Sequence, residues 1–115
     1  MNIWAFGSNL AGRHGKGAAL FARQHYGAIY GCGEGIQGSS YAIPTKDKFL
    51  RPRTLSEINE SVKTFLKYAK DHPEDTYKLT RVGCGLAGFT NYQIAPMFKN
   101  YTKNIIIPPE WIPYV

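Results

Sequence analysis

Asn9, Arg13, His14 and Lys16 share one short stretch, FGSNLAGRHGKGAALFARQHYG (Phe6–Gly27), which also holds five of the chain's twelve glycines. Glycine costs folding entropy, so such a cluster implies unusual backbone angles or a close approach of backbone to something else. Polar and cationic side chains beside accessible peptide N–H groups suit an anion, most simply a phosphate. Lysine or histidine there lowers the cost of holding the charge and, with a tuned pKa, serves as acid or base. Taken singly, each of these residues is better explained as a solvated loop position.

A second glycine-rich stretch, GCGLAG (Gly83–Gly88), fits the pattern G-x-G-x-x-G and follows an alternating run. The dinucleotide fingerprint also needs a complete strand–helix–strand unit and an acidic residue about twenty positions on. Glu110 falls near that spacing but stands in a proline-flanked segment, so a whole Rossmann domain does not fit. Gly15-Lys16 has the look of a nucleoside-triphosphate loop, yet Gly17 stands where Ser or Thr is required and Leu10 where the first glycine belongs. What survives is the physics shared by both motifs: glycines bring backbone close to a phosphate next to a helix N-terminus. The plain alternative is a sharp strand-to-helix turn.

Other polar groups carry weaker signals. Thr45–Arg53 sets Lys46, Lys48, Arg51 and Arg53 around Phe49, with Asp47 among them, a composition that suits a phosphate backbone or a solvated loop. His25 and His72 stand near expected helix ends and read as surface or capping residues. Cys32 and Cys84 each sit in Gly-Cys-Gly; two isolated cysteines make neither a metal site nor a disulfide framework, and they read as small buried thiols in a reducing setting.

The elements that must position these residues alternate between strand and helix. NIWAF (Asn2–Phe6) reads as a strand stopped by Gly7, and GAALFARQHY (Gly17–Tyr26) as a helix ended by Gly27. SYAIP (Ser40–Pro44) reads as a strand ended by its proline. In TLSEINESVKTFLKYAKDHP, Thr54 and Glu57 have capping-box spacing. Leu55, Ile58, Val62, Phe65, Leu66 and Ala69 follow as one apolar stripe at helical period. YKLTRV (Tyr77–Val82) alternates as a strand. Thr90 and Gln93 form a second capping box, with Ile94, Met97, Phe98 and Tyr101 on one face and Pro96 kinking the helix. NIIIP (Asn104–Pro108) reads as a fully buried strand. This alternation implies a largely parallel sheet with helices on its faces, and ligands then bind outside the carboxyl ends of the strands. Both glycine-rich stretches fall at such ends.

Composition sets the outer bounds. At 115 residues, 43% of them hydrophobic and 14% aromatic, the chain fits one domain, residues 1–115, with a real core. Fourteen Lys and Arg against eight Asp and Glu give +6, which suits anionic partners or simple solubility. No run reaches the length of a membrane helix and no secretory leader is legible, so a cytoplasmic protein with no membrane partner is expected.

Three runs together carry a family resemblance. HGKGAALFARQHYG (His14–Gly27), SYAIPTKD (Ser40–Asp47) and LTRVGCGLAGF (Leu79–Phe89) are similar, in this order, to the glycine loop and first helix, the Thr-Lys strand and the second phosphate loop of macro domains. The chain resembles that ADP-ribose-binding superfamily in its small stand-alone phage or bacterial form, nearest the terminal ADP-ribose–protein glycohydrolase branch. The resemblance implies a three-layer α/β/α domain with a mixed, largely parallel sheet, an ADP-ribose-like ligand, and neither cofactor nor metal. It puts Gly7, Ser8, Gly15, Lys16, Gly17 and Ala18 at the ligand, the last four along the distal ribose with Asn9 nearby. It wraps the diphosphate with Gly83, Cys84, Gly85, Leu86, Ala87, Gly88 and Phe89.

Two departures bear on activity. Lys46 matches the lysine that, in the glycohydrolase branch, forms a covalent adduct with the opened ribose. The aspartate that does acid/base work there is Ala87 here. No residue matches the aspartate that binds adenine, which leaves Phe89, Tyr92 and Tyr114 as candidates to stack on a base. If the site is catalytic, the resemblance implies hydrolysis at the distal ribose, of a 1″-phosphate or an ADP-ribosyl ester, with Asn9, His14 and Lys46 as candidate catalytic residues. A non-catalytic nucleotide sensor or sponge fits the missing aspartate equally. A basic nucleic-acid-binding module is the alternative of a different class.

Overall fold

The computed structural model spans Met1–Val115. Its strands are β1 (Asn2–Asn9), β2 (Gly35–Gln37), β3 (Ser40–Lys46), β4 (Thr76–Leu79) and β5 (Ile105–Ile106). The α-helices are α1 (Gly17–His25), α2 (Leu55–Asp71) and α3 (Asn91–Ile94), and 3-10 turns follow at Ala95–Phe98 and Pro109–Tyr114. One sheet of order β2-β3-β1-β4-β5 results, parallel throughout except for the antiparallel β2. No helix is long and apolar enough to cross a membrane.

Alternation along β1 builds the three layers. Ile3 and Ala5 face α2 and join the larger core with Ile43, Phe65, Tyr77 and Trp111, whereas Phe6 faces α1 and packs with Ala19, Ala22 and Ala42. The α2 side buries a cluster of 17 residues and the α1 side one of 5, so most of the apolar stabilisation lies under α2. α2 begins where expected: Thr54 Oγ1 accepts from the Glu57 N–H and the Glu57 carboxylate accepts from the Thr54 N–H. Ile58, Val62, Phe65 and Ala69 form the buried stripe, while Leu55, at its first turn, stays exposed. On the other face α1 covers β1 and β3 only, leaving Lys78 and Ile106 exposed on β4 and β5.

Several boundaries differ from the sequence reading. Gly7 does not stop β1, because pairing with β3 continues to Asn9. Pro44 lies inside β3 rather than at its end. β2 pairs only with Ser40–Ala42, so beyond Ala42 that side of β3 is an edge, where proline is tolerated. β4 is shorter than Tyr77–Val82 and ends at Leu79, opposite Ala5. Pro96 limits α3 to one α-helical turn before the 3-10 turn, and Tyr101 falls outside the buried face. β5 is a short edge strand with Ile105 buried and Ile106 exposed, not a fully buried one.

The connection leaving β1 packs on one face of the sheet, and those leaving β3 and β4 pack on the other. The chain therefore parts at the carboxyl ends of these strands and opens a crevice there.

Candidate functional site

A cavity of about 660 Å³ fills that crevice. β1 contributes Gly7, Ser8 and Asn9, and the stretch entering α1 contributes Arg13 and Gly15–Ala19. Thr45 and Lys46 come from β3, and Thr80–Ala87 from the loop after β4. The structure thus brings together every site residue expected from the sequence except His14, Gly88 and Phe89.

His14 is a core residue. It is fully buried, edge-on to Phe6, with ring centroids 5.3 Å apart. Its Nε2 lies 3.1 Å from the Cys32 carbonyl and 3.3 Å from Gln37 Oε1, and both are acceptors, since the same Oε1 accepts from the Ile29 N–H at 2.7 Å. The proton therefore sits on Nε2, and Nδ1 is left buried without a partner. A histidine so placed ties the loop before α1 to the loop after it and has no route to a ligand. The sequence expectation of a catalytic His14 is corrected by this burial, which keeps the ring out of the cavity lining.

Glycine plays two distinct parts around the cavity. Gly12 (φ +71) packs on the Gly31–Cys32 peptide so closely that a Cβ would come within 2.3 Å of the Gly31 carbonyl carbon. A Cβ on Gly33 would meet the Asn9 carbonyl oxygen at the same distance. These two let loops cross, aided by Ser8 Oγ donating to the Gly33 carbonyl. Gly15 and Gly85 have no positive φ, and a Cβ on either would meet nothing within 4 Å. Those two hold space open at the cavity itself.

Peptide donors line that space. In the loop after β4, the N–H groups of Cys84, Gly88 and Phe89 donate to Arg81, Gly85 and Gly83 carbonyls at 3.1, 3.0 and 2.8 Å. Those of Gly83, Gly85, Leu86 and Ala87 have no acceptor in the protein. At α1 the N-cap is Lys16, whose side chain caps nothing, so the N–H groups of Gly17, Ala18 and Ala19 are also free, at the positive end of the helix dipole.

The side chains add positive charge and no negative one. Arg13, Lys16, Lys46 and Arg81 line the cavity, and no Asp, Glu or His does. Arg81 is fixed by Asn91 Oδ1, which accepts from its Nε and Nη2 at 3.1 and 2.9 Å and from Trp111 Nε1 at 2.9 Å. Asn9 is engaged in holding the loop: Nδ2 donates to the Arg13 carbonyl at 3.0 Å and Oδ1 accepts from the Arg13 N–H at 2.9 Å. The Lys46 amine makes neither ion pair nor hydrogen bond within the protein. Cys84 and Cys32 are half-buried free thiols rather than fully buried ones. Burial pushes the Cys84 thiol above its ordinary pKa. No three His, Cys, Asp or Glu side chains come together to hold a metal ion.

Sequence reasoning missed Ala19, Tyr30, Thr45, Leu50, Thr80, Arg81 and Val82 among the lining residues. Thr80 and Arg81 were hidden by an expected strand that ran three residues too far. Tyr30 and Leu50 come from loops whose packing has no periodic signature. The expected base-stacking residues lie elsewhere: Phe89 packs against the larger core, and neither Tyr92 nor Tyr114 reaches the cavity. His25 is exposed, and His72 caps α2 through Nδ1 at the Tyr68 carbonyl, 2.7 Å away. The basic loop is a tight turn, with Asp47 Oδ1 accepting from the N–H groups of Phe49 and Arg51. Arg53 turns inward to the Pro44 carbonyl and Ser61 Oγ, both at 2.9 Å.

No family model, curated protein or solved structure matches the chain.

Proposed function

We propose that the protein binds a phosphorylated ribose nucleotide of the ADP-ribose type in this cavity, in the cytoplasm, and sequesters it without turnover. The observation that carries the reading is the set of acceptor-free peptide N–H groups at Gly83, Gly85, Leu86 and Ala87, sharing one cavity with the uncapped first turn of α1. Peptide donors fixed by the fold need no reorganisation to hold an anion, and each bond to a charged group contributes about 1.5–3 kcal/mol. The cavity volume is that of a small-molecule site, and its cations oppose no carboxylate.

The same lining favours holding over hydrolysis. A base close to the reacting atom typically speeds attack by water by about 10²- to 10⁴-fold. Asn9 is committed to Arg13, His14 is sealed in the core, and Ala87 supplies no proton carrier. Lys46 is then a cation for a phosphate or ribose oxygen rather than a nucleophile.

Calorimetric titration with ADP-ribose at two salt concentrations, followed by chromatography of the same samples, tests the reading. Saturable 1:1 binding with weak salt dependence and unchanged ligand is expected. Recovery of hydrolysed ligand would show an enzyme instead. Binding of oligonucleotides alone, with a log–log salt slope of roughly −0.7 to −0.9 per phosphate contacted, would move the function to nucleic acid. Against that alternative, Arg53 of the basic loop is already engaged within the fold.

A further inference from the structure

Three large apolar side chains stand in the open at the cavity: Tyr30 is 58%, Leu50 39% and Leu86 66% exposed. They arrive from three separate segments, the α1–β2 connection, the β3–α2 connection and the loop after β4. Exposed apolar side chains scattered singly need no explanation, but three in the lining of one cavity do.

Two of them are held in place. The Arg23 guanidinium lies 5.2 Å from the centroid of the Tyr30 ring and takes no part in the cavity lining. It backs the tyrosine from outside, which leaves the ring to present its remaining surface to the cavity. Leu50 is the one non-glycine residue with a positive φ, +64°. The Asp47 turn holds it there, its N–H donating to the Asp47 carbonyl at 3.1 Å. Left-handed backbone is unfavourable for leucine and persists only where the surroundings impose it, a condition that clusters at ligand clamps.

The cavity thus combines cations and peptide donors along its glycine loops with three exposed apolar side chains, Tyr30, Leu50 and Leu86, the last carried by the second glycine loop itself. That combination fits a molecule that carries both a phosphate and a flat, weakly polar ring. We infer that Tyr30, with Leu50 and Leu86, forms a nucleobase subsite that reads ring area rather than base edge. Stacking is sequence-tolerant because every base has a π-face. Edge reading needs fixed side-chain donors and acceptors, and this cavity's lining holds no carboxylate and a single amide, Asn9, which already makes two hydrogen bonds to Arg13. The subsite accepts adenine and guanine alike and disfavours the smaller pyrimidines.

This inference rests on the nucleotide reading above, and the experiment separates the two. ADP, GDP, CDP and ribose-5-phosphate are titrated into the wild type, Tyr30→Ala and Tyr30→Phe, with binding followed by amide chemical shifts. Tyr30 is exposed, so its variants fold. ADP and GDP are expected to bind within about threefold of each other and more tightly than CDP. Tyr30→Ala is expected to weaken ADP about tenfold or more, to leave ribose-5-phosphate within twofold, and to be rescued by Tyr30→Phe. Equal losses for ADP and ribose-5-phosphate, no loss for ADP, or strong preference for one purine would overturn the subsite while leaving the anion site standing. Failure of the wild type to bind any of the four would overturn the anion site itself.

Discussion

Replacing Gly85 or Gly15 by alanine separates what the glycines do for the fold from what they do for a ligand. Neither has a positive φ, and an added Cβ would meet nothing within 4 Å, so alanine fits without strain. Alanine at such a position narrows the unfolded ensemble and stabilises by roughly 0.4–1 kcal/mol. With an unfolding entropy of about 2.1 cal/mol/K per residue, that raises the melting temperature of a chain this size by about 2–4 °C. Both glycines line the cavity, so under the proposed function the added methyl would crowd a phosphate approaching the peptide N–H. Losing one charge-assisted hydrogen bond of about 1.5–3 kcal/mol weakens ADP-ribose by roughly 10- to 100-fold. Stability and affinity should therefore move in opposite directions, measured by calorimetric melting and titration on the same samples. Gly12→Ala is the control: its Cβ would lie 2.3 Å from the Gly31 carbonyl carbon at a φ of +71°, so it should unfold the chain or lower its melting point steeply. Folded Gly85→Ala and Gly15→Ala proteins that bind ADP-ribose like the wild type would refute the backbone cradle.

Three further outcomes follow from particular residues. His14→Ala should cost about 2–4 kcal/mol by opening a cavity beside Phe6, while the Cys32 carbonyl and Gln37 Oε1 keep their bonds from Gln37 Nε2 and the Ile29 N–H. A thermal melt reads that loss, and a fully stable variant would contradict the core assignment. Thr54→Ala removes the α2 capping box and should lower the melting point by about 4 °C for about 1 kcal/mol. The Thr54 N–H and hydroxyl hold the Glu57 carboxyl below its ordinary pKa. Its contribution is therefore present above the unfolded value and lost as pH falls through the folded one, so melts from pH 6 to pH 3 should show a larger acid loss in the wild type than in Glu57→Gln. Burial raises the Cys84 thiol, so iodoacetamide should label it slowly at pH 7 and faster above pH 9. ADP-ribose should protect Cys84 and leave Cys32, which lies outside the cavity, unprotected; equal protection of both would place the ligand elsewhere.

Local signals in the sequence were read correctly where chemistry and geometry coincide. Both capping boxes and the α2 stripe depend on neighbours three or four residues apart, and both form. The two glycine loops were placed at strand ends because strand–loop–helix order is written along the chain. Errors arose where a partner distant in sequence decides. Gly7 stays in β1 because β3 pairs with it, and Pro44 is tolerated because β2 stops short. His14 resembles a loop histidine until the Gly12–Gly31 crossing folds it inward beside Phe6 and Gln37. Tyr30 and Leu50 reach the cavity through turns whose conformations have no period to read. Which glycines serve the fold and which serve the cavity was equally invisible, since Gly12 and Gly15 differ in backbone angle and in what later crosses over them, and neither is written in the sequence.

If free peptide N–H groups of two loops hold a nucleotide phosphate, as proposed, those groups must report it directly. A ¹⁵N–¹H correlation spectrum of the 115-residue chain, recorded while ADP-ribose is titrated, observes those groups one by one. The account predicts saturating shifts concentrated on Gly15–Ala19 and Gly83–Ala87, with Val62 and Phe65 of α2 unmoved. Shifts confined to Lys48–Arg51, or none at millimolar ligand, would contradict it.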